Sequence, residues 1–362
     1  MKIAILGTRG IPNNHGGFEQ FAECFSVYMA EKGHSVFVYN SHNHPYKKST
    51  FKGVNIIHCF DPEYKIGTAG QFFYDLNCIR DSRKRKFDAI LQLGYTSSSI
   101  WHRMLPKDSL IVTNMDGLEW KRSKYSTATR KFLRYAENLA IKSSDVLISD
   151  SIGIKDYIRE TYLKESTYIP YGATIFSSPD KSVLVNYNVT EGNYDMIIAR
   201  LEPENNIETI VEGFSKSKVQ TPILIFGGLN DFGKKLQKKF AHDKRIRFVG
   251  PNYNQEDLNN LRYYSRYYFH GHSVGGTNPS LLEAMASSSL IIAHNNIFNR
   301  SILLEDAFYF KASADITSLL EDNTCNQHRD KFIAKNAEKI EKRFSWESVN
   351  ASYEKLILTN IK

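Results

Sequence analysis

The chain has 362 residues, 41% hydrophobic and 24% charged, an ordinary globular composition that excludes collagen, coiled coil and wholesale disorder. No stretch reaches the ~18 uncharged apolar residues of a membrane span, and the apolar run that opens the chain is too short for a signal peptide. The net charge of +8 is one-sided, with 24 basic against 17 acidic residues in 1–170 and 23 against 22 in the remainder, so the first half is expected to meet an anionic partner.

In chain order, short β-branched runs alternate with longer amphipathic segments. Strands are expected at Lys2–Leu6, Ser35–Asn40, Asn55–Phe60, Ala89–Gly94, Leu110–Met115, Val146–Asp150 and Thr167–Pro170, with helical patterns such as Gly17–Lys32 and Ala128–Ser143 between them. The scheme repeats with Asp195–Ala199, Ile223–Phe226, Ile246–Val249, Tyr267–His270, Leu290–Ala293 and Phe308–Phe310. Strands without polar alternation are buried on both faces, and their alternation with helices builds a parallel sheet. The reading is α/β, with two Rossmann-like doubly wound domains facing a cleft. Residues 1–172 form the first domain, 173–193 a weakly patterned linker and hinge, 194–345 the second domain and 346–362 a closing helix. Cys24, Cys59, Cys78 and Cys325 form no Cys-x-x-Cys pair, so neither a disulfide framework nor a zinc site is expected, and a reducing cytoplasm is.

Three segments carry the chemistry. The first strand leads into Gly7-Thr8-Arg9-Gly10 and then Gly16-Gly17-Phe18-Glu19, a loop suited to an anion at a helix start but spaced neither as a dinucleotide fingerprint nor as a P-loop. Arg200 directly follows a buried-looking strand, where a guanidinium either closes an ion pair or points at a phosphate. Finally, His270-Gly271-His272-Ser273-Val274-Gly275-Gly276-Thr277-Asn278-Pro279-Ser280 runs from a strand through a glycine-rich loop into a helix. Asn278 is the expected N-cap and Pro279 the first helical residue, and Glu283 falls in the second turn, in position to accept ribose hydroxyls. Tyr253, beyond a strand end, either stacks on a base or packs. The tyrosine-rich Tyr263–Phe269 stretch is read as packing. Basic clusters at Arg80–Lys86, Lys121–Lys124 and Arg130–Arg134 suit an anionic membrane surface, at ~1 kcal/mol per residue, and no nucleic-acid module accompanies them.

Together these pieces resemble the retaining glycosyltransferases of family 4, over nearly the whole chain. The opening Gly16, Gly17 and Glu19, the segment Ala199-Arg200-Leu201-x-Pro203-Glu204, the run Leu282-Glu283-Ala284-Met285-Ala286 and the start of the closing helix at Phe344-Ser345-Trp346-Glu347 are similar to that family's motifs. The donor loop and Asp116-Gly117-Leu118-Glu119-Trp120-Lys121-Arg122 resemble a bacterial branch of rhamnosyltransferases of surface-polysaccharide assembly. The chain departs from the family's pattern at Gly275, in place of a Glu, at Asn205, in place of a Lys, and at Asp116, in place of a His.

The resemblance implies the two-domain GT-B architecture, with the closing helix crossing back onto the first domain. It also implies transfer of a sugar with retention, dTDP-rhamnose being the first expected donor and a UDP-hexose the next, onto a lipid-linked saccharide at the inner face of the bacterial membrane. Asp116, Arg200 and Glu283 are then the expected catalytic residues. Gly16, Gly17, Asn205, His270, His272, Gly275, Gly276, Thr277, Asn278 and Ser280 join Arg200 and Glu283 around the donor. Tyr253 meets the base, and Glu19, Glu119 and Arg122 lie on the acceptor side. No Asp-x-Asp triplet occurs, so no metal or other cofactor is expected. A UDP-sugar 2-epimerase of the same fold and a non-catalytic glycan- or lipid-binding module are the alternatives.

Overall fold

A computed structural model describes every residue except His15, Asp116, Ser123, Lys124, Asn323 and Lys362. The chain forms two compact units, Met1–Tyr171 with Trp346–Lys362, and Gly172–Ser345.

The first unit is built on eight strands: β1 (Lys2–Leu6), β2 (Ser35–Ser41), β3 (Thr50–Phe51), β4 (Val54–Cys59), β5 (Ala89–Leu93), β6 (Leu110–Asn114), β7 (Val146–Ser149) and β8 (Thr167–Tyr168). Their order is β3-β4-β2-β1-β5-β6-β7-β8. Every pair is parallel except β3 with β4, a two-residue edge too short to show in the hydrophobic pattern. Helices α1 (Gly17–Glu31), α2 (Glu63–Ile66), α3 (Ala69–Ser82), α4 (Thr127–Ser143) and α5 (Ile152–Tyr162) connect them. β1 sits centrally, its Ile3 opposite Val36 of β2 and Ala89 of β5, and Ile3, Ala4 and Ile5 are wholly buried. That two-sided burial explains the unbroken apolar runs. Ser126 caps α4 through Thr129 N, and Ser151 caps α5 through Ile154 N.

The second unit has six parallel strands, β9 (Asp195–Ile198), β10 (Ile223–Phe226), β11 (Ile246–Gly250), β12 (Tyr267–His270), β13 (Ile291–His294) and β14 (Phe308–Phe310), in the order β11-β10-β9-β12-β13-β14. Around them run α6 (Ile207–Lys216), α7 (Asp231–Lys239), α8 (Gln255–Tyr264), α9 (Pro279–Ala286), α10 (Ile297–Leu303), α11 (Ser313–Glu321) and α12 (Arg329–Lys339). The chain winds outward from β9 through β10 and β11, then returns to β12 on the other side of β9. This reversal opens a crevice beyond the strands' carboxyl ends, the place where open α/β sheets bind ligands.

Residues 173–193, read from sequence as a linker and hinge, are built into the second unit instead. Ala173 N donates to Phe344 O, Phe176 N to Ala286 O and Gly192 N to Tyr264 O. A 3₁₀ turn at Lys181–Tyr187 buries Leu184, and the Tyr187 ring lies against Phe226. The polar composition that suggested a linker is that of a segment tied down by backbone bonds rather than by a large apolar face.

The last helix, α13 (Trp346–Asn360), belongs to the first unit. Val349, Tyr353 and Ile357, at four-residue spacing, enter its core, where the Tyr353 ring packs 4.6 Å from Phe21 and 5.5 Å from Phe25. The Tyr353 hydroxyl accepts a hydrogen bond from Asn114 Nδ2 at 2.8 Å. None of the helices described is long and apolar enough to cross a membrane.

Candidate functional site

The crevice of the second unit is a pocket of about 400 Å³ beyond β9, β10 and β12. Arg200, two residues past β9, lines it, is exposed, and has no ion-pair partner among the described residues. Its own carbonyl is fixed by the Asn205 side chain, whose Nδ2 donates at 2.7 Å. The Asn205 Oδ1 in turn lies 2.9 Å from His272 Nδ1. Asn205 is therefore spent on shaping the loop.

The helix start on the far wall is as the residues dictate. Asn278 Oδ1 accepts the Ser280 backbone N–H at 2.9 Å, and Pro279 occupies the first position of α9. With that cap in place the Ser280 amide is already satisfied and is not offered to a ligand. Asn278, Ser280 and Glu283 line the pocket, whereas Gly275, Gly276 and Thr277 are not among its walls. Gly275 has φ +130°, a backbone conformation reserved for glycine, and a Cβ there would meet His272 Nε2 at 3.0 Å. Gly271 is closer still to a neighbour: a Cβ would fall 1.9 Å from the Asn205 carbonyl oxygen.

Glu283 is not a free carboxylate. Arg262, in the last turn of α8 and 1% exposed, donates Nη2 to Glu283 Oε2 at 2.5 Å and to Ser280 Oγ at 3.2 Å. Nη1 bonds Asn259 Oδ1 at 2.9 Å, and Nε is buried with no partner. Arg262 was not singled out from the sequence. The signal was its position, four residues after Leu258 and so on the apolar face of α8. Glu283 Oε1 has no partner among the described residues, which leaves one oxygen for a ligand hydroxyl.

His270 closes the floor. It is the last residue of β12, 4% exposed, with Nε2 buried and unpartnered. Burial, and then the nearby His272 and Arg262, hold its imidazole well below the usual histidine range, so it is neutral near pH 7. Arg262 and His270, both lining the pocket, thus each keep one buried nitrogen without a protein partner among the described residues. Tyr253 is 90% exposed at the rim. It does not pack, contrary to one of the two readings given for it, and its ring is open to stacking. In the tyrosine-rich stretch Tyr264, Tyr267, Tyr268 and Phe269 are buried and Tyr263 is partly buried.

The other predicted residues lie in the first unit. Gly16 and Gly17 start α1, with Gly16 as its N-cap residue in extended conformation. Glu19 is buried, its Oε1 accepting Arg9 N at 2.9 Å and Thr8 Oγ1 at 3.3 Å. Glu119 and Arg122 pair with each other at 2.7 Å and do not line the pocket that Glu19 lines. Asp116 lies outside the described residues. Among the described residues no group of three His, Cys, Asp or Glu is arranged to hold a metal ion.

The family described as Domain of unknown function (DUF1972) matches residues 1–174. No curated protein matches the sequence. Several solved structures do resemble the fold. A glycosyltransferase from Rickettsia africae is 14% identical with a TM-score of 0.75, covering 99% of this chain and 98% of its own. Sucrose-phosphate synthase from Thermosynechococcus elongatus is 15% identical at 0.78, with 99% and 98% covered. HepE from Anabaena, solved in complex with UDP-glucose, is 13% identical at 0.77, with 99% of each chain covered. The fold is that of the GT-B glycosyltransferases.

Proposed function

We propose that this protein is a nucleotide-sugar-dependent glycosyltransferase whose donor occupies the pocket of the second unit. The observation that carries the reading is Arg200, an unpaired guanidinium held at the end of β9 in a pocket whose opposite wall is a helix start. A nucleoside diphosphate matches that arrangement. Its phosphates meet Arg200, its ribose hydroxyls meet Glu283 Oε1, and its base lies toward Tyr253.

The chemistry follows from where charge develops. As the bond from the anomeric carbon to the diphosphate stretches, its electron pair moves onto the departing phosphate oxygen and the sugar gains oxocarbenium character. Arg200 stabilises the growing negative charge, and losing one such donor costs ~3 kcal/mol, about a hundredfold in rate. The new bond forms from the acceptor oxygen to the anomeric carbon, and the acceptor proton passes to the phosphate. Retention of configuration, a dTDP-rhamnose or UDP-hexose donor and independence of metal are the finer parts of the proposal, supported by the motif resemblance. Asp116 keeps its proposed place near the acceptor on that same ground.

The acceptor is proposed to be a lipid-linked saccharide at the inner membrane face. Supporting this, the first unit carries the basic excess, and Phe60, Tyr64, Ile66, Phe73 and Tyr135 stand about half exposed on it, a mixture suited to an anionic interface. The test is to incubate the protein with dTDP-rhamnose or UDP-glucose and a lipid-linked glycan and to follow the anomeric signals by NMR. A glycoside of unchanged anomeric configuration supports the reading. Conversion of the UDP-sugar without acceptor marks an epimerase.

A further inference from the structure

Helices α8 and α9 set a buried guanidinium behind the carboxylate that lines the second unit's pocket. Arg262, in the last turn of α8 and 1% exposed, donates Nη2 to Glu283 Oε2 at 2.5 Å. Its other bonding options are used or closed. Nη1 is held by Asn259 Oδ1 at 2.9 Å, and Nε is buried with no partner among the described residues. The Ser280 hydroxyl, which Nη2 also reaches at 3.2 Å, is engaged 2.7 Å away by the Tyr268 hydroxyl. A guanidinium already short of one bond cannot release its carboxylate cheaply, because an unsatisfied buried donor costs its full desolvation and a buried charge needs its partner. Oε2 therefore stays with Arg262, and Glu283 meets the pocket with Oε1.

The same burial separates the two arginines of this pocket. A guanidinium that grips phosphate has to be exposed and unpaired, as Arg200 is. Arg262 is neither, and its charge is already matched by Glu283. Its effect on a ligand passes through the one carboxylate oxygen that it occupies.

That effect falls on the ribose. The 2′- and 3′-hydroxyls stand side by side on one face of the ring, and a carboxylate with both oxygens open matches them one to one. A single oxygen cannot do so. Between the two hydroxyls it receives two bent bonds, and hydrogen bonds weaken steeply as they bend. Against one hydroxyl it receives a linear, charge-assisted bond. Given the nucleotide-sugar reading above, on which this rests, we infer that Arg262 is a positioning residue that makes Glu283 read one ribose hydroxyl rather than the pair, so that the site accepts a nucleoside diphosphate lacking the other.

Isothermal titration calorimetry on the full chain tests this with the 5′-diphosphates of uridine, 5-methyluridine, guanosine and adenosine, each as the ribonucleoside, the 2′-deoxy and the 3′-deoxy form. In the wild type one deoxy form binds within about threefold of its ribonucleotide and the other about tenfold or more weakly, the worth of one hydrogen bond to a charged group. Arg262→Met frees Oε2, so both deoxy forms then fall about fivefold or more below the ribonucleotide. A residue that only holds the fold together would change all three affinities in step and leave their ratios as they were. Should Arg262→Met fail to fold, the wild-type pattern decides alone. Equal losses from both deoxy forms in the wild type, no loss from either, or unchanged ratios in a folded Arg262→Met protein overturns the inference. In each of those cases nucleotides still bind and the transferase reading stands. If no nucleotide binds in any form, both fall. If the one-hydroxyl pattern appears while Arg200→Ala binds as tightly as wild type, the phosphate assignment falls and the role of Arg262 stands.

Discussion

Glu283→Ala removes the carboxylate partner of Arg262, and the cost follows from where that guanidinium sits. Arg262 is 1% exposed, and breaking a buried pair by deleting one partner costs ~3–5 kcal/mol, because the other charge is left uncompensated. Arg262 keeps its bonds to Asn259 and Ser280, and the Glu283 side chain is itself 20% exposed, so the lower end, about 3 kcal/mol, applies. In a unit of this size each kcal/mol moves the melting temperature by ~2–4 °C, giving a fall of about 6–12 °C for the transition of the second unit. Calorimetry of the full chain reads this directly. The paired variant Arg262→Met with Glu283→Leu should recover most of the loss, since well-packed apolar replacements of buried ion pairs are often neutral. A Glu283→Ala protein that melts within 1 °C of wild type, or a double variant no more stable than the single one, refutes the reasoning. Activity loss in Glu283→Ala would then mix instability with a lost ribose contact, so Glu283→Gln, which still accepts from Arg262, is the cleaner probe of the ligand.

Other outcomes follow from the same geometry. His270 is held neutral with its pKa depressed in the folded state, so its contribution to stability is present above the ordinary value of 6.5 and lost as pH falls below it. His270→Gln should flatten the melting temperature of the second unit between pH 7 and 5, and an unchanged slope would contradict the assignment. Asp75, in α3 of the first unit, runs the other way. Burial raises its carboxyl from 3.8 to about 7, so its contribution is present below 3.8 and lost by pH 7, and Asp75→Asn should gain stability over wild type, by up to about 4 kcal/mol, as urea unfolding moves from pH 4 to pH 8. Gly271→Ala drives a Cβ to 1.9 Å from a backbone oxygen and should destabilise the second unit by ~1–3 kcal/mol, measured as a lower midpoint in urea. If Arg200 meets the diphosphate charge as proposed, turnover should persist in a chelator.

The fold was legible because its central strands are buried on both faces: Ile3–Ile5, Ile90–Leu91 and Phe269 cannot be mistaken for solvated turns. The edge strand Thr50–Phe51 has no such signature, being two residues fixed by its neighbour. The 173–193 segment reads as a linker for the same reason, its order coming from single hydrogen bonds to distant backbone atoms. At the site, Arg200, Glu283 and the Asn278-Pro279 helix start could be placed from local chemistry. Arg262, and Asp75 in the first unit, could not, because each is a charged residue on an apolar helix face, and sequence alone does not say what pairs with it. Asp75 shares its face with Cys78 and Ile79, three and four residues on, which is the only hint that it is buried. Glu119 and Arg122, grouped with Glu19 from sequence, satisfy one another instead.

The central claim is that one unpaired guanidinium at the end of β9 grips the phosphates of a nucleotide. Thermal shift with dTDP, UDP, GDP and ADP on wild type and Arg200→Ala measures it. A ligand at a hundred times its Kd adds ~2.7 kcal/mol, so one nucleotide should raise the wild-type transition by about 5–10 °C. Arg200→Ala, an exposed position, should melt as wild type does without ligand and lose most of that rise. Stabilisation by none of the four, or an Arg200→Ala protein that responds as fully as wild type, contradicts the account.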